Sequence, residues 1–294
     1  MKVRLFRPED AAAVARLSAA CARTESDYVL NPMWEDEQEF WAEFERHGTR
    51  PEEHLLVADG GAGEVLGLSG FLRWGEASVG GLLCPIVEKA ERGKGLGGEL
   101  LRGALALGEE WGLRLLAAGI GTRNRGGFSL LTALGFRPVR QHFLMRCDER
   151  PSASPRAKEL GLRPARPEDL PAIHGLYGRC GFEARSREQM EACFGDGRHV
   201  YAVAEPAGKL SAFVELETHW PRRCWVAFVG VEPGLRDRGL GSALVAFALG
   251  RQLDAGSESG LLILSPANRS AVRAYEKVGF RLYRVLDVLE RPLL

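Results

Sequence analysis

The second half of the chain switches between a two-residue and a 3.6-residue hydrophobic period, and the switches mark its elements. Residues 162–165 start an extended segment, and Asp169 stands where it caps a helix running from Leu170 toward Gly178, with Pro171 at a tolerated early position. Runs 200–204 and 210–218 have strand composition, and 224–231 follows as another strand. After a glycine-bearing turn comes a helix on which Leu240, Leu244 and Ala248 recur at i, i+4, with Gly256 near its end. Residues 261–264 form a short apolar strand, 271–278 a short helix, and 281–289 a last strand. Strands come first and β-α-β-α-β follows, the pattern of an α/β chain (α+β in some schemes).

The first half repeats these landmarks. Arg92-Gly93-Lys94-Gly95-Leu96-Gly97 and Arg236-Asp237-Arg238-Gly239-Leu240-Gly241 share R-x-x-G-x-G at a separation of 144 positions. Asn124-Arg125 and Asn268-Arg269 keep that register, as do Gly135-Phe136 and Gly279-Phe280. Near the two starts, Arg7-Pro8-Glu9-Asp10 matches Arg166-Pro167-Glu168-Asp169 at 159 positions, so the first copy carries 15 extra residues before its glycine motif, around Trp34 to Trp41. Those two tryptophans, seven residues apart, fit core packing at helical spacing. The copies are joined by Asp148-Glu149-Arg150-Pro151-Ser152-Ala153-Ser154-Pro155-Arg156, a solvated connection by composition. The expected division is therefore 1–147, a linker at 148–160, and 161–294, within the usual range of domain sizes.

Composition narrows the function. The 294 residues are 45% hydrophobic, enough for buried cores, while 39 Lys and Arg balance 39 Asp and Glu, which argues against a nucleic-acid binder. No run approaches the ~20 apolar residues of a spanning helix, and the opening Met-Lys-Val-Arg turns charged at once, so a soluble, cytoplasmic protein without membrane partners is expected. Six scattered cysteines lack a C-x-x-C pair and read as reduced thiols. Six histidines show no ligand spacing, so no metal is expected.

A glycine turn opening a helix leaves backbone N–H groups unpaired where the helix dipole favours an anion, which suits a pyrophosphate. Gly239 and Gly241 let the backbone approach phosphates without a Cβ, and Arg236 or Arg238 adds charge. The G-x-x-x-x-G-K-[ST] loop is absent. Gly93 to Gly98 satisfies G-x-G-x-x-G, the fingerprint of a dinucleotide-binding protein, but lies five residues beyond the preceding apolar strand. In the second copy Leu244 replaces the third glycine.

With the downstream landmarks included, the chain resembles a tandem of two domains of the GNAT superfamily, the acetyl-CoA-dependent N-acetyltransferases. The residues that carry the likeness are Leu162 to Asp169, Val229 to Gly241 and Asn268 to Phe280, and it spans nearly the whole chain. It implies two GNAT-like domains related by internal duplication, each a mixed, largely antiparallel sheet flanked by helices, with acetyl-CoA as cosubstrate and no metal. By the resemblance, Arg236, Arg238, Gly239, Gly241 and Ser242 hold the coenzyme pyrophosphate, Val231 pairs with pantetheine like an added strand, and Asn268 contacts the pantetheine arm. The residue seven before the motif, Val229, offers its N–H to the thioester carbonyl, and Tyr275 is the general acid for the departing thiolate. Arg92, Gly93, Gly95 and Gly97 are the matching cofactor positions of the first copy.

Two positions separate the copies. Leu131 stands in place of Tyr275, and Pro85, which has no N–H, in place of Val229. Catalysis is therefore expected in the second copy, a layout that resembles the tandem mycothiol synthases, whose C-terminal half works. The carboxylate that many GNAT members carry on the strand before the motif is absent, Trp225 taking its place, and Glu215 and Glu217, alternating onto one strand face with His219 beyond, are the candidates for the general base. Such a face is otherwise simply solvated. By family pattern, residues 179–187 select the acceptor, although their three arginines equally suit a solvated helix start. The expected reaction moves an acyl group by direct attack to a primary amine of a small molecule or peptide. A non-catalytic CoA-binding regulatory or assembly protein is the alternative. Both a monomer with pseudo-twofold domains and a homodimer fit.

Overall fold

The computed structural model describes residues 2–61, 63–74 and 78–293. These form two compact units, Met1–His142 with Arg284–Leu294, and Phe143–Tyr283.

In the first unit, strands β1 (Lys2–Leu5), β2 (Leu55–Gly61), β3 (Glu64–Arg73), β4 (Val79–Val87) and β5 (Leu115–Gly121) lie in that order. Helices α1 (Ala11–Ala22), α2 (Glu37–Arg46) and α3 (Pro51–His54) precede β2, α4 (Leu96–Glu110) joins β4 to β5, and α5 (Arg125–Ala133) leads to β6 (Arg137–Cys147). The second unit repeats this with β7 (Leu162–Pro164), α6 (Leu170–Arg179), α7 (Arg187–Asp196), β8 (His199–Ala204), β9 (Ala212–Glu217), β10 (Arg223–Val231), α8 (Leu240–Asp254), β11 (Ser259–Leu264), α9 (Arg269–Val278) and β12 (Arg281–Pro292). Each sheet is antiparallel except where its fourth and fifth strands run parallel, so the mixed sheet flanked by helices is borne out.

The compact units are not the two sequence copies. Strand β12 pairs with β5 over Leu286–Pro292, and the end of β6, Phe143 to Cys147, pairs with β11. Each half thus completes its sheet with the other half's last strand, because a fifth strand with an unpaired edge needs a partner for its N–H and C=O groups. The repeat boundary at the 148–160 connection and the compact units thus divide the chain differently.

The predicted stripe of Leu240, Leu244 and Ala248 is buried and packs α8 onto one face of the second sheet, with Met145, Val214 and Leu262. On the other face α6 and α7 contribute Ile173, Leu176, Tyr177 and Met190. Of the two tryptophans assigned to packing, Trp34 is fully buried against Phe40 and Phe44, whereas Trp41 is exposed, lying edge-on to Phe6 and Phe40. All six cysteines are free thiols, and burial pushes those of Cys21, Cys84 and Cys224 up to about 12. No helix among the described residues is long and apolar enough to cross a membrane.

Candidate active site

Strands β10 and β11 pair in parallel only over Arg223–Trp225 and Ser259–Leu261, then part. Which backbone groups face the opening follows from the ladder on the other side of β10. Glu232 N–H donates to Ser211 C=O at 2.9 Å, one step beyond the Val231–Ala212 pair. Antiparallel neighbours alternate between bonded and non-bonded pairs, so Gly230 and Phe228 bond to β9, while Val231 and Val229 turn their N–H and C=O toward the opening. The contacts of Val231 agree: its carbonyl accepts from Cys180 Sγ (3.4 Å) and Arg236 Nε (3.3 Å), not from β9.

A cavity of about 350 Å³ fills this opening. It gathers Val229, Val231, Arg236, Gly239, Gly241, Ser242, Asn268 and Tyr275, all singled out in the sequence. Arg238 is not among its lining residues; its side chain is exposed and its carbonyl accepts from Arg156. Cys180 and Phe182, from the 179–187 stretch expected to select the acceptor, also line the cavity, as does Asp237 of the glycine motif, which was given no role of its own. For Asp237 a signal existed, since it occupies the left-handed region (φ 60°) in a tight turn where Asp is tolerated.

The turn has the geometry of a helix start with open N–H groups. Gly239 (φ 83°) caps α8 in a left-handed conformation that brings the chain abruptly into the helix. A Cβ at Gly241 would make only ordinary contacts, 3.4 Å from Val231 Cγ2, so packing does not require glycine there. Arg236 lines the cavity, and no carboxylate pairs with it among the described residues. Open N–H groups at a helix start, room beside them and an unpaired cation fit the coenzyme pyrophosphate.

Tyr275 projects from α9, whose start is capped by Asn268 accepting from Ala271 N–H at 3.2 Å. Burial pushes the phenol up to about 12, so it holds its proton at neutral pH and is able to donate it. Its ring lies edge-on to Phe280 at 5.7 Å, which fixes its direction.

The two carboxylates do not reach this cavity. Glu215 and Glu217 are buried, so a solvated face does not describe them. Glu215 is hydrogen-bonded by Tyr177 through Oε2, and by Arg185 (2.7 Å) and His199 (2.8 Å) through Oε1. Arg185 also lies 3.7 Å from Glu217. Burial raises the Glu215 pKa, yet the His199 bond, the Arg185 charge and Tyr177 outweigh it and hold the carboxyl below its usual range. His199 is likewise opposed by burial, but its bonds to Cys193 and Glu215 bring it up to about 9. Ligand atoms of His199, Glu215 and Glu217 fall within 4.8 Å of one another, a spacing suited to a metal ion, but the Arg185 guanidinium already sits on Glu215. The cluster anchors Arg185 and with it the segment that carries Phe182. The other two arginines of that stretch are also paired, Arg179 with Glu232 and Arg187 with Glu191.

In the first unit the matching cavity, about 290 Å³, is lined by Pro85, Val87, Arg92, Gly93, Gly97 and Asn124 among others. Leu131, in place of the tyrosine, is buried in the core. Gly95 caps α4 in the left-handed region, as Gly239 does in α8, but does not line the cavity.

Comparison with known proteins agrees with this geometry. The model of the acetyltransferase (GNAT) family matches residues 20–136 and again 167–280. The chain is 30% identical to a mycothiol acetyltransferase of Thermobispora bispora over 306 aligned positions, covering 97% of this chain and 96% of that one. A mycothiol acetyltransferase of Paenarthrobacter aurescens is 28% identical, covering 79% and 76%. Among solved structures, a GCN5-related N-acetyltransferase from Sphaerobacter thermophilus superposes with a TM-score of 0.82 at 20% identity, over 99% of this chain and 95% of that one. A tandem GNAT protein from the clavulanic acid biosynthesis pathway gives 0.72 at 16% identity, over 100% and 99%.

Proposed function

The chain belongs to the acetyltransferase (GNAT) family, and from this premise we propose that it works as an acetyl-CoA-dependent N-acetyltransferase through the second unit alone, on a primary amine of a small molecule. Acetyl-CoA supplies the acyl group as an activated thioester. The turn at Arg236, Gly239, Gly241 and Ser242 holds the pyrophosphate, and the outward N–H and C=O of Val231 pair with the amide-bearing arm after Cys180 gives up that carbonyl. Val229 N–H, rigidly placed by the ladder, is the donor for negative charge developing on the carbonyl oxygen. Tyr275 gives its proton to the departing sulfur. The acceptor class follows the relatives named above, which the chain matches over nearly their full length.

The observation that carries this reading is one cavity holding both the Val229 N–H and Tyr275, while the equivalent positions of the first unit hold Pro85 and Leu131. The test is thermal stabilisation by acetyl-CoA, then thiol release against a panel of small amines that includes the acceptor of the mycothiol acetyltransferases. Coenzyme stabilisation with release that depends on an amine is expected. Stabilisation without release on any amine would leave a binding protein instead.

A further inference from the structure

The first unit opens its sheet in the same way, for β4 and β5 pair only over Val79–Gly81 and Leu115–Ala117. Here a piece of the chain itself enters the gap. Leu30 N–H donates to Gly119 C=O at 2.8 Å, and Gly121 N–H donates to Tyr28 C=O at 2.9 Å, with Val29 bridged antiparallel to Ile120. On the opposite side Cys84 N–H donates to Asn31 C=O at 2.9 Å. Residues 28–31 therefore bond both parted strands, as a short inserted strand.

The surroundings are fitted to it. A Cβ at Gly119 would come 2.9 Å from Leu30 Cβ, closer than side chains tolerate, and one at Gly121 would come 3.3 Å from Tyr28 Cβ. At the matching positions of β11 and just past it stand Ile263 and Ser265, where no inserted strand is found among the described residues. The groups equivalent to the coenzyme-holding ones are also taken up. Asn124, counterpart of Asn268, donates to Tyr28 C=O at 3.4 Å. Arg92, counterpart of Arg236, is paired with Asp27 at 3.0 Å and bonds Val87 C=O at 2.9 Å. Asp27 lines the cavity below the glycine turn, so an incoming phosphate would meet a carboxylate beside an already neutralised arginine. The inserted segment belongs to the connection 23–36 between α1 and α2, twice as long as 180–186 between α6 and α7. Part of the first copy's extra length is thus spent on closing its own cleft.

We propose that the first unit is self-occupied: residues 28–31 fill the place of the coenzyme arm, Asp27 takes the phosphate-loop arginine, and the chain binds one acetyl-CoA rather than two. The comparison rests on the later turn being a coenzyme site, and the experiment separates the two claims. Titration calorimetry of the full chain with acetyl-CoA is expected to give one equivalent, and Arg236→Glu, an exposed change, none. Two equivalents for the wild type with one left in Arg236→Glu would overturn self-occupation and leave the proposed function standing. One equivalent in both would overturn both. Hydrogen exchange reads the closure independently of any variant or affinity. The amides of Leu30, Cys84 and Gly121 should exchange slowly without coenzyme and be unmoved by it, whereas the Val231 amide should slow on its addition. Fast exchange at Leu30 and Gly121, or slowing there when coenzyme is added, would show a cleft that opens and would sink the proposal.

Discussion

Replacing Val229 by proline removes a single hydrogen atom from the proposed chemistry and almost nothing from the sheet. The Val229 N–H points away from β9, whose bonds are made by Phe228 and Gly230, so the ladder keeps every bond on that side. Proline is tolerated on strand edges, and it favours an extended preceding residue, as Phe228 is placed within β10. Pro85 stands at the equivalent sequence position of β4, at a register shift, and that strand resumes its pairing with β3 through Ile86 and Val87. Loss of one fixed donor to a developing oxyanion costs roughly a hundred- to thousand-fold in kcat, or about 3–4 kcal/mol. Steady-state thiol release at saturating acetyl-CoA and amine measures it, with a melting curve to show that the fold survives. Val229→Ala is the control, because it keeps the N–H and loses only the methyl groups near Gly241. A folded Val229→Pro enzyme within threefold of wild-type kcat, or an alanine variant equally impaired, would refute the role given to this amide.

Three further changes probe the remaining parts. Tyr275→Phe keeps the ring against Phe280 and removes the proton donor, so turnover should fall about a hundred- to ten-thousand-fold with the melting temperature nearly unchanged; an unaltered rate excludes the phenol as acid. Glu215→Gln leaves Arg185 and His199 without their buried carboxylate and should cost about 3 kcal/mol or more in chemical denaturation, whereas a loss under 1 kcal/mol would show that the cluster anchors nothing. His199 has a folded pKa of about 9 against roughly 6.5 unfolded, so its charged form stabilises the fold fully below about pH 6.5 and progressively less as pH rises toward 9. The free energy of unfolding should accordingly fall over that interval, by on the order of 3 kcal/mol, and His199→Gln should flatten the fall.

Much of the candidate site's local geometry was readable because its signals are local. The glycine motif, the Asn268 cap and the spacing from Arg236 back to Val229 all lie within short stretches whose geometry depends on neighbours in sequence. What sequence did not show is what pairs with what across distance. Alternation along 281–289 marks a strand but not the edge it joins, which is why the pairing of β12 with β5 went unforeseen. Helix α7 buries only Met190 and so lacks an apolar stripe; its legible trace was the Ser186–Gln189 capping box. Glu215 and Glu217 looked like solvent-facing charges because the cations that allow their burial, Arg185 and His199, stand on other elements.

The asymmetry of the two halves reduces to which partner each parted strand edge has found. An opened parallel pair exposes backbone donors and acceptors that must be satisfied by water, by a ligand or by the chain. In the second unit the outward N–H groups of Val229 and Val231 face a cavity, while the Val231 carbonyl is held by Cys180 and Arg236. In the first, Cys84, Gly119 and Gly121 are satisfied permanently by residues 28–31, and the one residue there with no N–H to offer is Pro85. Once the cleft is filled, a donor at position 85 and a phenol at position 131 have nothing to act on, so Pro85 and Leu131 cost the first unit no function, and Leu131 joins its core. Both differences fit one structural feature, the inserted strand, and restoring a donor at Pro85 or a tyrosine at Leu131 alone is expected not to make the first unit turn over.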